Sequence, residues 1–575
     1  MSGRRLACVL AVTVLLFAAS VSTAAVGAGS APVVGSASAG IDSIPDHSVG
    51  FDAPARNASA APEKPRIVSI YPNPVLDDDA GEFVVLWFPP DTDLAGWTLT
   101  DGESTLSLGN ATVGGRVALT TDPGAASNLT TYPIVVLDGT LSLANGGDEL
   151  ALAHDNETID GTNYTDAPDA ELFRRVGATW HWVPLGATDV EPVRADGARV
   201  RLFVLPDAPS VPLATLRGAE DRILVGGYSF ASERVARELE RAAARGVEVR
   251  VLLDDAPAGG ISTAQARVLD SLTGSAVDVE VIGGSYARYD FHHPKYAVVD
   301  DRALVMTENW KPAGTGGNAS RGWGVVVDSS KTADALATIF RADADWRDTI
   351  SWQEFRRDRA FTADEAANGS YPAEFEPRSM RAEEMTLLAA PDNAEGEIVR
   401  LLDGANESIA VVQASIGSRN QPFLRAALRA ARRGVEVRIL LSSAWYSEAD
   451  NEAMVAWLNQ RARAEDLPLD AKVADPGDRF AKIHAKGVLV DRETAVIGSV
   501  NWNNNSAREN REIALVVEGE GVGEYYGRVF DADWEGGDAT GDPVGGTDLP
   551  IGLVAAVLGV STLVVLVARR VRFAE

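Results

Sequence analysis

His293-Pro294-Lys295-Tyr296-Ala297-Val298-Val299-Asp300 and His484-Ala485-Lys486-Gly487-Val488-Leu489-Val490-Asp491 are two copies of one pattern, H-x-K-x4-D, in a chain with only 6 histidines. On an extended strand, residues two apart share a face, so each histidine is expected to project together with its lysine, into what would be the groove between two lobes. Each motif runs into a second apolar stretch that ends in a polar turn: Thr307-Glu308-Asn309-Trp310 in the first copy and Gly498-Ser499-Val500-Asn501-Trp502 in the second. If that stretch returns antiparallel, it carries Thr307 and Asn309, or Ser499 and Asn501, beside the histidine and lysine. Each lobe then offers an imidazole, an ammonium and an amide, a set suited to an anionic phosphodiester. A lone histidine is more often a satisfied core or surface residue. Two motifs in register within a repeat are a far more specific signal.

The repeat extends on both sides of the motifs. An apolar strand at Ile223–Val225 leads to a helix from about Glu233 to Arg245 and then to Arg245-Gly246-Val247-Glu248-Val249-Arg250-Val251-Leu252-Leu253. The second copy has Ile409–Val412, a helix from about Phe423 to Arg433, and Arg433-Gly434-Val435-Glu436-Val437-Arg438-Ile439-Leu440-Leu441. A helix closed by glycine and feeding a β-branched strand is a βαβ pattern. Both copies end in Asp-Trp, at Asp345-Trp346 and Asp533-Trp534, and the stretch from Arg347 to Glu384 connects them. The expected fold is α/β: one pseudo-symmetric domain over residues 198–540, with lobes at 198–346 and 385–540.

These motifs, the repeat and the Ser/Thr and Asn turns resemble the phospholipase D superfamily, whose members include phospholipases, cardiolipin synthases, nucleases and phosphodiesterases. The resemblance implies a metal-independent, cofactor-free phosphodiesterase. One neutral imidazole attacks phosphorus to form a phosphohistidine. The other, protonated, serves the leaving oxygen and then activates the water or alcohol that resolves the intermediate. Lys295, Lys486, Asn309 and Asn501 stabilise the non-bridging oxygens. By this analogy His293 is the nucleophile and His484 the acid, an order that the residues alone leave open. Asp300 and Asp491 complete the motif as catalytic candidates. Their odd spacing from the histidine turns them away from it, so holding the lobe together is the competing role. The family often orients a motif histidine with a further carboxylate. Glu512 matches that position in the second copy. The first has Arg321-Gly322-Trp323-Gly324 there and a turn that looks one residue shorter, leaving Glu308 as the candidate substitute. His292 is read as facing away from His293.

Before the repeat, residues 66–165 show short strands separated by Gly, Asp, Asn and Pro, the pattern of a β-sandwich. Gly81-Glu82-Phe83-Val84-Val85-Leu86, Asp93-Leu94-Ala95-Gly96-Trp97-Thr98-Leu99 and Leu143-Ala144-Asn145-Gly146-Gly147-Asp148-Glu149-Leu150 resemble a lamin-tail domain, an immunoglobulin-like module that implies binding or spacing. Glu82 is read as structural, and Trp180-His181-Trp182 as a packing cluster. His47 and His154 have no partner residues in the sequence.

The two ends suggest where the protein works. Arg4-Arg5, an apolar run from Leu6 to Phe17 and small residues to Ala25 read as a signal peptide over 1–25, followed by an Ala/Ser/Gly/Pro-rich linker over 26–62. The uncharged run Leu549–Ala568 followed by Arg569, Arg570 and Arg572 reads as a transmembrane helix over 549–568, with 569–575 as a cytoplasmic tail. The catalytic domain is then outside the cell, tethered to the membrane. The only cysteine, Cys8, lies in the leader, so no disulfide and no cysteine metal site are expected. Lys and Arg number 52 against 82 Asp and Glu, a formal net charge of −30 spread along the chain. Near 1 M salt the screening length is about 3 Å, so this balance reads as that of a halophile's protein. The expected partners are a phosphodiester, phospholipid or nucleic acid, and the membrane; no protein partner is implied. Phospholipid hydrolysis or transphosphatidylation is the leading expectation. An extracellular nuclease is the rival, and a surface binding or envelope protein with inactive repeats is the alternative of another class.

Overall fold

A computed structural model describes residues 64–76, 79–363 and 367–536. The expected leader, the linker to residue 62 and the segment 549–575 lie outside the described residues. Among those described, no helix is long and apolar enough to cross a membrane.

The N-terminal β-region has two sheets. Six strands lie in the order Thr179–Pro184, Glu171–Val176, Arg66–Tyr71, Phe83–Asp93, Thr112–Thr120, Ile134–Val136. Four more run Thr105–Ser107, Trp97–Thr100, Gly147–His154, Glu157–Thr165. Alternation along the strands points one face of each sheet inward. Ile67, Leu86 and Phe88 of the first sheet therefore share a core with Leu99, Leu150 and Leu152 of the second. Two strands fall beyond residue 165, the expected end of this region. They carry Trp180 and Trp182, which pack on Phe173 with ring centroids 4.9 and 4.8 Å away. Glu82 accepts a hydrogen bond from the Leu143 amide at 3.0 Å. Burial raises its pKa to about 8. It ties the sandwich together and stands apart from the paired motifs.

The repeat folds into two lobes of matching topology. In the first, Arg222–Gly227, Glu248–Asp254 and Asp278–Ile282 are parallel neighbours, linked by the helices Glu233–Ala244 and Thr263–Thr273. In the second, Ser408–Gln413, Glu436–Leu441 and Leu469–Val473 are parallel, linked by Pro422–Arg432 and Glu448–Glu465. The first strand of each set, Arg222–Gly227 or Ser408–Gln413, is buried along nearly its whole length, which explains its almost continuous apolar run. Each motif strand, Lys295–Val299 or Gly487–Val490, runs antiparallel to the first of them and continues the sheet through Arg302–Met306 and Ser320–Asp328, or through Thr494–Gly498 and Glu512–Glu518.

A central apolar layer joins the lobes. It holds Leu336 and Phe340 of helix Ser330–Ala344 with Val529 and Phe530 of helix Glu520–Glu535, together with Trp323 stacked on Tyr526 at 4.4 Å. A Cβ at Gly487 would lie 2.5 Å from the Trp323 ring, so only glycine leaves room for that indole. The lobes also exchange edge strands. Val193–Asp196, just before the first lobe, pairs with Glu384–Ala390 of the second. Arg378–Arg381, just before the second, pairs with Arg199–Leu205 of the first. The segment expected only to connect the lobes thus supplies sheet structure to the first lobe. The two closing helices each give an aspartate, Asp343 or Asp533, to a buried arginine of the opposite lobe, Arg511 or Arg321.

Candidate active site

In these lobes the motif residues gather at the carboxyl edge of the parallel strands. Lys295 pairs across from Gly227 at the end of its strand, and Gly487 from Val412. Carboxyl edges are where open α/β sheets place ligand sites. Both histidines come just ahead of the motif strand, and each is clipped to the opposite lobe. The His293 amide donates to Arg511 O at 2.9 Å, and the His484 amide to Arg321 O at 3.0 Å. The side chains of Lys295 and Lys486 each turn back to the carbonyl of their own motif histidine.

Each imidazole meets a carboxylate from the other lobe. His293 Nδ1 lies 2.9 Å from both oxygens of Glu512. Glu512 is itself fully buried and accepts from Ser506 Oγ and, at 3.1 Å, from Asn510 Nδ2. His484 Nδ1 lies 3.3 Å from Glu308 Oε2, a looser contact that is not aligned as a hydrogen bond, and Glu308 Oε1 has no partner among the described residues. Glu512 therefore serves the first-copy histidine and Glu308 the second, so each carboxylate crosses the lobe boundary.

The space for Glu308 has a specific origin. Thr307 Oγ1 accepts from the Trp323 amide, as Ser499 Oγ does from the Ile513 amide. This register aligns Glu308 with Val500 and Gly322 with Glu512, and it gives the two turns equal length, correcting the expected one-residue deficit. A Cβ on Gly322 would sit 2.3 Å from Glu308 Cγ. The first lobe has therefore moved its carboxylate from one strand to the neighbouring turn, and the glycine leaves room for it.

The electrostatics follow from burial. The His293 side chain is 12% exposed and that of His484 19%. Desolvation lowers both imidazoles to a pKa of about 4, and the two lysines add repulsion that the carboxylates offset only in part. Burial also depresses Lys486, to about 8, and Lys295 well below its ordinary value. Glu512 is pushed up by burial, but His293 and Lys295 outweigh this and hold it below the usual carboxylate range. Lys295 feels Glu512, Lys486 and Glu308 together, which places both half-sites in one cluster.

The remaining candidates divide. Thr307 and Ser499 are buried and brace strands beside the site. Asn309 and Asn501 hold equivalent places in the turns. The side-chain carbonyl of Asn309 is buried without a partner among the described residues, and the Asn501 amide donates to Ser506 Oγ. Asp300 and Asp491 do not join the site, and the catalytic role set out for them is corrected. Asp300 accepts from the amides of Glu220, Asp221 and Arg222, and Asp491 from those of Asn406, Glu407 and Ser408. Both sit at positive φ in the tight turn after the motif strand, where Asp tolerates the left-handed backbone. His292 turns away, its amide donating to Asp254 at 2.6 Å.

Two features went unseen in the sequence. Tyr228 packs edge-on against His293 with ring centroids 4.6 Å apart; its only local signal is its place just past a strand end. Arg321 and Arg511 are fully buried beneath the site. Arg321 is paired with Asp207 and Asp533, Arg511 with Asp343 and Asp392.

Residues 213–346 and 398–534 match the family described as "Cardiolipin synthase, PLD-like domain". Cardiolipin synthase A of Serratia proteamaculans is 35% identical over 102 residues, 18% of this chain and 19% of that protein. The enzyme of the same name from Buchnera aphidicola is 33% identical over 103 residues, with the same shares. The chain thus spans about a fifth of the length of these relatives. Among solved structures, a phosphatidylserine synthase of Haemophilus influenzae aligns with TM-score 0.45 and 12% identity, over 58% of this chain and 84% of that one. Nuc from Salmonella typhimurium, a phospholipase D family member, aligns with TM-score 0.24 and 19% identity, over 28% and 99%. Two lobes, each with its own H-x-K motif and each within a matched segment, belong to the phospholipase D-like domain family of cardiolipin synthase.

Proposed function

We propose that the chain is a phosphodiesterase acting through a phosphohistidine, on phospholipid head groups outside the cell, by hydrolysis or by transfer to an alcohol. The observation that carries this reading is the pair of imidazoles, each backed at Nδ1 by a buried carboxylate from the opposite lobe, with a lysine turned to the carbonyl of each motif histidine. A carboxylate at Nδ1 holds the proton there and leaves Nε2 free to react.

His293, with the closer carboxylate, attacks phosphorus through Nε2, and the P–O bond to the leaving alcohol breaks. His484 delivers its proton to that oxygen. It then takes a proton from water, or from an acceptor alcohol, which attacks phosphorus and breaks the N–P bond. The free site keeps both histidines neutral at pH 7. An entering phosphodiester anion offsets the repulsion from Lys295 and Lys486 and lets His484 take up the proton it must donate. The same lysines then neutralise charge on the non-bridging oxygens. The expected leader and C-terminal span favour an extracellular, membrane-tethered setting, and the sandwich, with its lamin-tail-like residues, is read as a spacer or binding module.

The test is turnover of labelled phospholipid vesicles, single-stranded DNA and a chromogenic phosphodiester by the purified chain in high salt. Phospholipid turnover that disappears in His293→Ala and falls by about 10²-fold or more in His484→Ala supports the reading. Turnover surviving in both variants would remove the mechanism, and preference for DNA would move the substrate to nucleic acid.

A further inference from the structure

The two lobes differ sharply in the loop after their second parallel strand. In the first lobe, residues 255–260 are Asp-Ala-Pro-Ala-Gly-Gly. They fold back on the protein, with Ala258 N bonded to Tyr228 Oη and Gly284 N to Asp255. In the second lobe, residues 442–447 carry Trp445 and Tyr446, which are 86% and 51% exposed. Among the described residues they are two of only five large hydrophobic side chains left exposed, and the only two aromatic ones. The rings meet edge to face at 5.7 Å, and Lys482 Nζ lies 5.2 Å from the centre of the Tyr446 ring. Exposing such a pair leaves apolar area in water that burial would stabilise.

The loop is tied to the catalytic centre. Ser442 Oγ accepts from the amide of Ile483, the residue before His484, at 3.2 Å. Asn451 Nδ2 holds the carbonyl of Ser442 at 2.7 Å. Lys482 is close enough to Lys486 to depress its pKa. The loop also leaves the carboxyl end of strand Glu436–Leu441, the edge at which the motif residues collect.

We propose that Trp445, Tyr446 and Lys482 dock the headgroup layer of a phospholipid bilayer and bring the His484 side of the site to the lipid surface. Trp and Tyr are the side chains whose apolar bodies and polar tips suit that layer, and Lys reaches outward from it to phosphate. Charge argues for this occupant over a nucleic-acid strand. Affinity for a polyanion is built from many cationic contacts, whereas this patch has one lysine, is followed at once by Glu448 and Asp450, and belongs to a chain of net charge −30. For its substrate the inference rests on the phospholipid reading above; the docking itself is measured separately.

The full chain is mixed in high salt with phosphatidylcholine vesicles brominated on the acyl chains, and tryptophan quenching is compared between wild type and Trp445→Phe. The chain has 12 tryptophans, so the difference between the two proteins isolates this one. A quenchable component lost in Trp445→Phe supports docking, and equal quenching in both overturns it. In a second arm, the Trp445→Ser/Tyr446→Ser variant should turn over vesicle phospholipid about tenfold more slowly and a soluble chromogenic diester at the wild-type rate. Equal losses on both substrates, or a loss confined to single-stranded oligonucleotide, overturn the proposal. Wild type that turns over no phospholipid would defeat the substrate reading alone, with quenching still deciding the docking.

Discussion

His293 and His484 hold equivalent places in two lobes of one topology, yet their supports differ. Glu512 approaches His293 from the start of a strand, touches it with both oxygens, and is braced by Ser506 and Asn510. Glu308 approaches His484 from a turn, at a longer distance, with one oxygen unpartnered among the described residues. On the proposed mechanism, two lobes sharing one phosphorus atom would perform different jobs. A nucleophile gains from a fixed ring and a firmly held Nδ1 proton. A group that cycles between acid and base gains from a partner that tolerates both protonation states. The relocated carboxylate still comes beside Nδ1, reached from a different backbone position where a glycine opens the space.

The most severe way to break this comparison is to remove one ring at a time. His293→Ala should abolish turnover and leave no acid-labile phosphoprotein. His484→Ala should slow turnover by about 10²–10⁴-fold while the phosphate still reaches His293, which mass spectrometry of rapidly quenched enzyme would reveal. Label on His484 in the wild type would reverse the assignment.

Removing the carboxylates should sharpen it. Glu512→Gln is expected to lower kcat on the order of 10²-fold or more, and Glu308→Gln by less, with His484 driven to a still lower pKa once that neighbour is neutral. Steady-state pH profiles check this. In the wild type, kcat/KM should fall above about pH 8 as Lys486 loses its charge. Stability should report the same burial. Unfolded imidazoles titrate near 6.5, whereas the folded pair resist protonation down to about 4. Across that window the unfolded chain binds more protons, so stability should decline as pH falls from about 6.5 towards 4 and level off below. Denaturant melts of the wild type and of His484→Ala measure the contribution.

An exchange variant asks whether the carboxylate's route matters. Gly322→Glu alone forces a side chain into space that Glu308 fills and should cost about 1–3 kcal/mol of stability. Adding Glu308→Val should recover much of that loss and restore measurable turnover, a non-additivity that a double-mutant cycle reads directly.

The smallest effect on catalysis belongs to Asp300→Ala and Asp491→Ala. Each strips acceptors from three backbone amides, so thermal unfolding should shift by an amount corresponding to about 1–3 kcal/mol, with kcat nearly unchanged. A large fall in kcat in the folded variants would return these residues to the active site.

Much was legible in the chain because the signals are local. Two H-x-K motifs with even spacing, βαβ texture and turns ending in Asn-Trp announce two lobes and a phosphate-type site without reference to any distant residue. Even the helix limits expected near Glu233 and Phe423 fall within a residue of those observed. Alternating strands likewise announce the sandwich, although not its last two strands: Glu171–Val176 lacks the alternation, and Trp180-His181-Trp182 alternates but reads as a packing cluster.

Spacing thus picked out the groups that the proposed reaction uses, two of each. Only the tertiary structure decided their pairing. Glu512 reaches His293, Glu308 reaches His484, and Arg511 and Arg321 reach aspartates of the opposite lobe. None of these pairs has a spacing rule, because each depends on how two sheets close over a shared core. The same closure excludes water, and burial is what moves the histidines and lysines far from their ordinary pKa values.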